Sequence, residues 1–348
     1  MLWSALVTPF REVDGAPDLP AMAALARFQL DHGCDGVLLF GSTGEALALR
    51  DDERGRVLDA VLEVARPEQV MVGLGAGGLA DVLARAREAG ARGVRDLLLA
   101  DAPYSGASSA ALRTRWHEPV ARALPESRLF PYAAPSRTGT ELLPDDLARL
   151  AEDCPNVAGV KDATGRLARM LRVRELCGED FSLLCGDDAV LRDALLDPHI
   201  RADGAISVLA NLAPAAVRAL HDAGREGRAV RARELHDALL PLLGLVNVTA
   251  VEDLPLRGEV HAVPQRSRDP VPLKAALARF GACEATVRAP LGPMGPRGGE
   301  RVASVLESVA RFHADVLAPL GAAFGGAAAL AQRAPAARSS NEELAGSC

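Results

Sequence analysis

An α/β chain folded as a (β/α)8 TIM barrel with additional C-terminal helices is the class that this 348-residue sequence predicts, on three observations. Short apolar runs alternate with amphipathic Ala-, Leu- and Arg-rich segments. The alternation repeats eight times, in units of about 25–30 residues. No long break divides the units, which favours closure into a barrel over a doubly wound sheet.

The strands are expected at 2–7, 35–40, 70–74, 95–100, 127–132, 157–161, 181–185 and 203–208. Their runs, such as Asp35-Gly36-Val37-Leu38-Leu39-Phe40, are nearly continuous in apolar residues, as parallel strands covered on both faces must be. Helices are expected near 19–32, 51–66, 79–90, 108–123, 144–152, 166–177, 187–197 and 213–227, where apolar residues recur at spacings of 3 and 4. The pairs His32-Gly33 and Ala89-Gly90 read as C-caps. After 228 the alternation stops, so the barrel and its active site are assigned to 1–228. Residues 229–325 read as a C-terminal helical region, with helices over 229–249, 271–283 and 300–325. A Pro-, Arg- and charge-rich stretch interrupts it and resembles an insertion near 250–268. The tail, 326–348, is Ala-rich and then Ser/Asn/Glu-rich, a composition expected to be disordered.

The totals exclude several functions. A formal net charge of -7 argues against a nucleic-acid partner, and arginines interleave with acids, as in Arg85-Ala86-Arg87-Glu88. The six cysteines form no CxxC pair, which predicts reduced thiols and a cytoplasmic protein. The seven histidines show no HxH or HExxH spacing, so no metal is expected. The first residues lack the features of a signal peptide, and no apolar run approaches the ~18 residues of a membrane span.

Chemistry in such barrels sits at the carboxyl ends of the strands, and the unusual residues gather there. The chain has two lysines, Lys161 and Lys274, against a background of arginine. Lys161 ends the apolar run Val157-Ala158-Gly159-Val160. An amine attacks carbon only when neutral, and burial disfavours the ammonium. A lysine in an apolar barrel mouth is therefore suited to form an imine with a ketone, which arginine cannot do. The competing reading is an ion pair with Glu45 or Asp162. Lys274, at the start of a helix, reads as structural. Both tyrosines, Tyr104 and Tyr132, fall at strand ends; a phenol there can relay protons, or can plug the barrel as an aromatic ring. Ser42 and Thr43 lie in a Gly-bracketed loop that could cradle a carboxylate or could simply form a turn and a helix cap. Arg137 could grip a second carboxylate bidentately, or form a surface ion pair. Gly186-Asp187-Asp188 follows the seventh strand. Gly73 to Gly78 lacks GxGxxG spacing and reads as a barrel loop.

The assembled motifs resemble the dihydrodipicolinate synthase / N-acetylneuraminate lyase family of class I, lysine-imine aldolases. The matching stretches are ALVTPF at 5–10, GSTGEAL at 41–47, APY at 102–104, YAAPSRTG at 132–139, GVKDATG at 159–165, CGDD at 185–188, GAISVLAN at 204–211, PVPLKAAL at 270–277 and RAPLGPM at 288–294. The resemblance covers roughly 1–295. It implies a barrel with a C-terminal helical part, in a homodimer or homotetramer. It implies that Lys161 forms the imine, Tyr132 relays protons, Ser42 and Thr43 supply hydroxyls near the pyruvate carboxylate, and Ile206 walls the pyruvate pocket. Gly186 and Tyr104 are expected to line the substrate site. Arg137 resembles the arginine that holds the aldehyde's carboxylate in the synthases. The chain departs from the synthase pattern at Ser105, where a second Tyr is usual, at Ser42 in place of Thr, and at Ala133 in place of Asn. The expected activity is a Schiff-base lyase condensing pyruvate with L-aspartate 4-semialdehyde, without a cofactor because the imine is the electron sink. The alternatives are an aldolase or dehydratase acting on a 2-keto-3-deoxy sugar acid or N-acetylneuraminate-type substrate, and a non-catalytic keto-acid-binding member.

Overall fold

Eight parallel strands close into a barrel: β1 (Leu2–Ala5), β2 (Gly36–Leu39), β3 (Val70–Gly73), β4 (Asp96–Ala100), β5 (Arg128–Ala133), β6 (Gly159–Asp162), β7 (Ser182–Cys185) and β8 (Gly204–Ser207). Each pairs with the next, and β8 pairs with β1 through Ile206 opposite Trp3. The computed structural model describes residues 1–75 and 77–326, so Ala76 and nearly all of the expected tail lie outside the described residues.

Alternate strand residues point inward and outward, which splits the apolar runs between two cores. Inside lie Trp3, Leu38, Met71, Leu98, Phe130, Tyr132, Leu184 and Ile206. Outside, Val37, Leu39, Val70, Val72, Leu97, Leu99, Val160 and Leu183 meet the helices. Each fully buried leucine contributes roughly 1.5–3 kcal/mol of transfer free energy. The barrel floor depends on a missing side chain: a Cβ at Gly36 would lie 2.3 Å from the Trp3 ring.

Helices follow the strands near the expected positions, for example Leu19–Asp31, Leu79–Ala91, Leu167–Cys177 and Pro214–Arg225. The segment after β4 is helical with a π-turn over Arg113–His117. The C-terminal region differs more from expectation. The helix predicted to run to 249 ends at Leu243, and the chain turns at Gly244 into a β-branched stretch. The segment read as an insertion is an antiparallel hairpin, β9 (Asn247–Leu256) and β10 (Glu259–Arg268), turning at Arg257-Gly258. Both turn residues have positive φ, +53° and +86°, which suits a two-residue hairpin connection. Glu252 anchors the hairpin. Its carboxylate accepts the backbone N–H of Gly298 at 2.9 Å and of Arg297 at 3.3 Å, satisfying donors at the start of helix Pro296–Phe312. Helices Val271–Arg279 and Ala314–Phe324 complete the region; the helix expected over 300–325 is broken at His313. No described helix is long and apolar enough to cross a membrane.

Candidate active site

Lys161 on β6 lies opposite Tyr132 on β5, and both point into the mouth of the barrel. Lys161 is 4% exposed, and its Nζ sits 4.2 Å from the centre of the Tyr132 ring. The two carboxylates that could have paired with it are committed elsewhere. Asp162 points the other way along the strand, accepts the N–H of Thr164 at 2.9 Å and its hydroxyl at 2.6 Å, and pairs with Arg169. Glu45 accepts Lys274 Nζ at 2.5 Å and the backbone N–H of Arg288 at 2.9 Å. No ion pair or hydrogen bond reaches the Lys161 amine among the described residues.

The amine opens onto a cavity of about 310 Å³ that also meets Ser42, Thr43, Tyr132, Arg137 and Gly186. A second lobe, about 260 Å³, shares Ser42, Tyr132, Arg137 and Asp269 and runs over Phe40 and Leu98 toward Leu291. The Ser42-Thr43 loop is pinned from below, where Thr8 Oγ1 donates to Gly44 O at 2.7 Å. Thr43 is buried and donates to Asp269 Oδ2 at 2.9 Å, while Ser42 faces both lobes. Arg137 is neither unpaired nor in a surface ion pair: it bonds the carboxylate of Asp269, which is 4% exposed, and Asp269 O at 3.4 Å. Lys274 is structural, as expected: it is buried beneath the loop and also donates to Thr286 O at 2.7 Å.

Two expected residues do not reach the cavity. Tyr104 is 96% exposed. Its φ of +56° turns the side chain outward, away from the cavity of its own chain, while its N–H is held by Thr138 O at 3.1 Å. Ile206 is fully buried in the inner core with Tyr132 and Leu184, and Val208, further along, forms the cavity wall on that side. Ser105 is tied into a turn, with its hydroxyl donating to Ala102 O at 2.9 Å.

Gly186 is placed where only glycine fits. Its N–H donates to Asp162 O at 2.7 Å, and a Cβ there would lie 2.9 Å from Lys161 Cε and 3.0 Å from its Cγ. Gly186→Ala is therefore expected to displace the lysine stem and lower kcat by roughly 10- to 100-fold, by the cost of about 1 Å of misplacement. Unchanged kcat in the folded variant would contradict this placement. Asp188 also lines the cavity; burial pushes its carboxyl above the usual range, against the N–H groups of Val208 and Leu209 that it accepts.

Sequence reasoning missed Asp269 and Arg268, both on the cavity wall. They come from the end of the hairpin, which no spacing signal ties to the barrel mouth. Among the described residues no group of three or more His, Cys, Asp or Glu could hold a metal ion.

The fold and site together define a (β/α)8 barrel protein with a buried, unpaired lysine amine at the carboxyl ends of its strands. The model of the dihydrodipicolinate synthetase family matches residues 1–309, and the chain belongs to that family. It is 33% identical over 308 residues to a 4-hydroxy-tetrahydrodipicolinate synthase of Syntrophus aciditrophicus, covering 87% of this chain and 96% of that protein. Among solved structures it is similar to dihydrodipicolinate synthase from Aquifex aeolicus, with a TM-score of 0.78 and 28% identity over 90% of this chain and 98% of the other. It is also similar to 4-hydroxy-tetrahydrodipicolinate synthase from Methylacidiphilum fumariolicum SolV, with a TM-score of 0.79 and 28% identity over 93% and 98% of the two chains.

Proposed function

We propose that this chain is a Schiff-base lyase that condenses pyruvate with L-aspartate 4-semialdehyde. The observation that carries the reading is the Lys161 amine, buried over the Tyr132 ring with both neighbouring carboxylates engaged by other cations. The neutral amine attacks the pyruvate ketone carbon. The carbinolamine loses water, and Tyr132, whose hydroxyl bonds no described residue, passes protons to and from its oxygen. Loss of a proton from the methyl carbon converts the imine to an enamine, and that carbon adds to the aldehyde. The amino group of the aldehyde substrate then displaces Lys161 from the imine carbon and closes the ring. Thr43, fixed by Asp269, and Ser42 stand beside the amine as hydroxyls for the pyruvate end. Gly186 leaves room for the lysine stem. The electron sink is the imine itself. With Ser105 locked in its turn, the proton path runs through Tyr132 and Ser42.

The synthase name of the curated relative supports this reading over cleavage of a sugar acid. A cytoplasmic homodimer or homotetramer is the matching assembly, in which a second copy would cover the outward Tyr104. Borohydride reduction in the presence of pyruvate, followed by peptide mass mapping, should place a pyruvate-derived adduct on Lys161. Turnover should be fast with aspartate semialdehyde and slow with 2-keto-3-deoxy sugar acids. Activity confined to sugar acids would remove the synthase assignment. Pyruvate binding with no adduct would point to a non-catalytic member.

A further inference from the structure

Helix Pro296–Phe312 covers one face of the hairpin, the face that carries the buried Val248 and Glu252. Directly opposed residues of two strands share a face, so every second pair, from Asn247–Arg268 at the base to Pro255–Val260 near the turn, lines the other. At its base that face meets the Lys161 cavity, through Asn247 and Arg268. Beyond the base it is largely apolar and uncovered. Val251 is 45% exposed and Val260 71%, with Pro255, Ala262 and Pro264 exposed beside them. A two-stranded hairpin is marginal in water by itself, and a contiguous apolar patch on one marks a contact surface. The edges do not offer that contact. Arg297 takes the outward carbonyl of Val251 at 3.0 Å on the β9 side. Pro255 and Pro264, one in each strand, lack the N–H that an edge would present to a new strand. A partner therefore takes the face.

We propose that the hairpin is an arm that docks face to face on the hairpin of a second copy of this chain, with each tip over the other's base. The charges fit that partner. Among the described residues Arg266, near the base, meets no acid; its Nη2 donates to Asn247 Oδ1 at 3.0 Å. Glu259, at the tip, has His261 as its one cationic neighbour, 3.9 Å away. Asp253, on the same face, is already held by Arg297 at 2.6 Å. A two-fold stack brings each Glu259 to the other copy's Arg266 and buries the same valines and prolines from both sides. Arg257, in the turn and also without an acid of its own, then lies past Arg266, toward the cavity wall that carries Asp187. The stacked stretch, Thr249 to Pro255, is about 20 Å long and two strands wide. That is less than the roughly 800 Å² per partner of a stable interface, so the contact is reversible and depends on concentration. Each tip comes to rest beside the other copy's Asn247 and Arg268, and so beside its Lys161 cavity.

The test is sedimentation velocity of the full chain over a dilution series. Glu259→Arg and Arg266→Glu should each raise the dissociation constant of this step roughly tenfold or more, because both halves of the stack then set like charges together. An equimolar mixture of the two variants should associate as wild type does, since each copy supplies the charge that the other lacks. Only a contact between copies gives that rescue; a weakened hairpin does not. Any other contact between copies is shared by every sample and cancels in the comparison. All three positions altered are exposed, so circular dichroism should match wild type; Val260→Asp, within the apolar face, should weaken the step as well and decides the matter if a charge reversal misfolds. Equal association by wild type and the single variants, a mixture no tighter than either variant alone, or a wild type of one copy at every dilution overturns the proposal. In the last case the face belongs to another occupant, residues 327–348 or a different protein.

Discussion

Lys161→Ala is expected to lower turnover by roughly 10³-fold or more and to remove the borohydride-stable pyruvate adduct altogether. The size of the effect follows from the absence of a substitute. The only other lysine, Lys274, is 0% exposed and holds Glu45 and the Thr286 carbonyl, so no second amine can reach the cavity. Lys161→Arg should fail as completely, because a guanidinium keeps its charge and cannot become an imine nitrogen. The mechanism makes a distinction here that mere loss of packing does not. Both variants should still fold, since Lys161 makes no ion pair or hydrogen bond that the fold needs. Pyruvate should bind them weakly and reversibly, by its carboxylate alone. Circular dichroism, intact mass after borohydride and steady-state turnover read the three consequences separately. Turnover within tenfold of wild type in either variant ends the imine mechanism.

The barrel was legible because its strands are covered on both faces and so appear as eight nearly continuous apolar runs, with Trp3, Phe130 and Tyr132 supplying the few large aromatic inner residues. Lys161 was legible for a compositional reason: a chain that writes its cations as arginine kept an amine at the end of one such run. The hairpin was not. Most of β9 and β10 faces solvent on both sides, so no alternation survives to mark the strands, and Pro255 and Pro264 within them read as breakers. The turn is Arg257-Gly258, where the stronger hairpin signals are Asn-Gly or Asp-Gly. Asp269 was hidden for a related reason. Its partner Thr43 lies 226 residues earlier, and only closure of the C-terminal region over the barrel mouth joins them. Tyr104 shows the opposite case, in which a strand-end position does not by itself place a ring in the cavity of its own chain. Position at a strand end suggested a role in the cavity, but a left-handed backbone at that residue turned the ring away.

That same closure makes Lys274 the residue whose loss should damage stability most. The ammonium is fully buried, bonded to Glu45 and Thr286 O, and packed 4.2 Å from the centre of the Phe10 ring. Glu45 in turn sits at a φ of +51° in the loop that carries Ser42 and Thr43, and it accepts the N–H of Arg288. Arg288 reaches on to Glu53 at 2.7 Å and to Gly15 O at 2.6 Å. One buried pair thus joins the β2 loop, the first helices and the C-terminal region. Burial favours the uncharged amine and opposes the pull of Glu45, so the pair depends on both members being present. Lys274→Met should destabilise the protein by about 3–5 kcal/mol, because it strands a buried carboxylate. Adding Glu45→Gln should return part of that loss, since neither charge is then left alone. The single variant should also show a lower kcat, as Glu45 no longer fixes the loop beneath Ser42 and Thr43, while pyruvate still forms its adduct on Lys161. Urea unfolding of the two variants beside wild type measures the coupling. A loss under about 1 kcal/mol in Lys274→Met, the worth of an exposed pair, would mean that the cation is not what ties the loop to the C-terminal region.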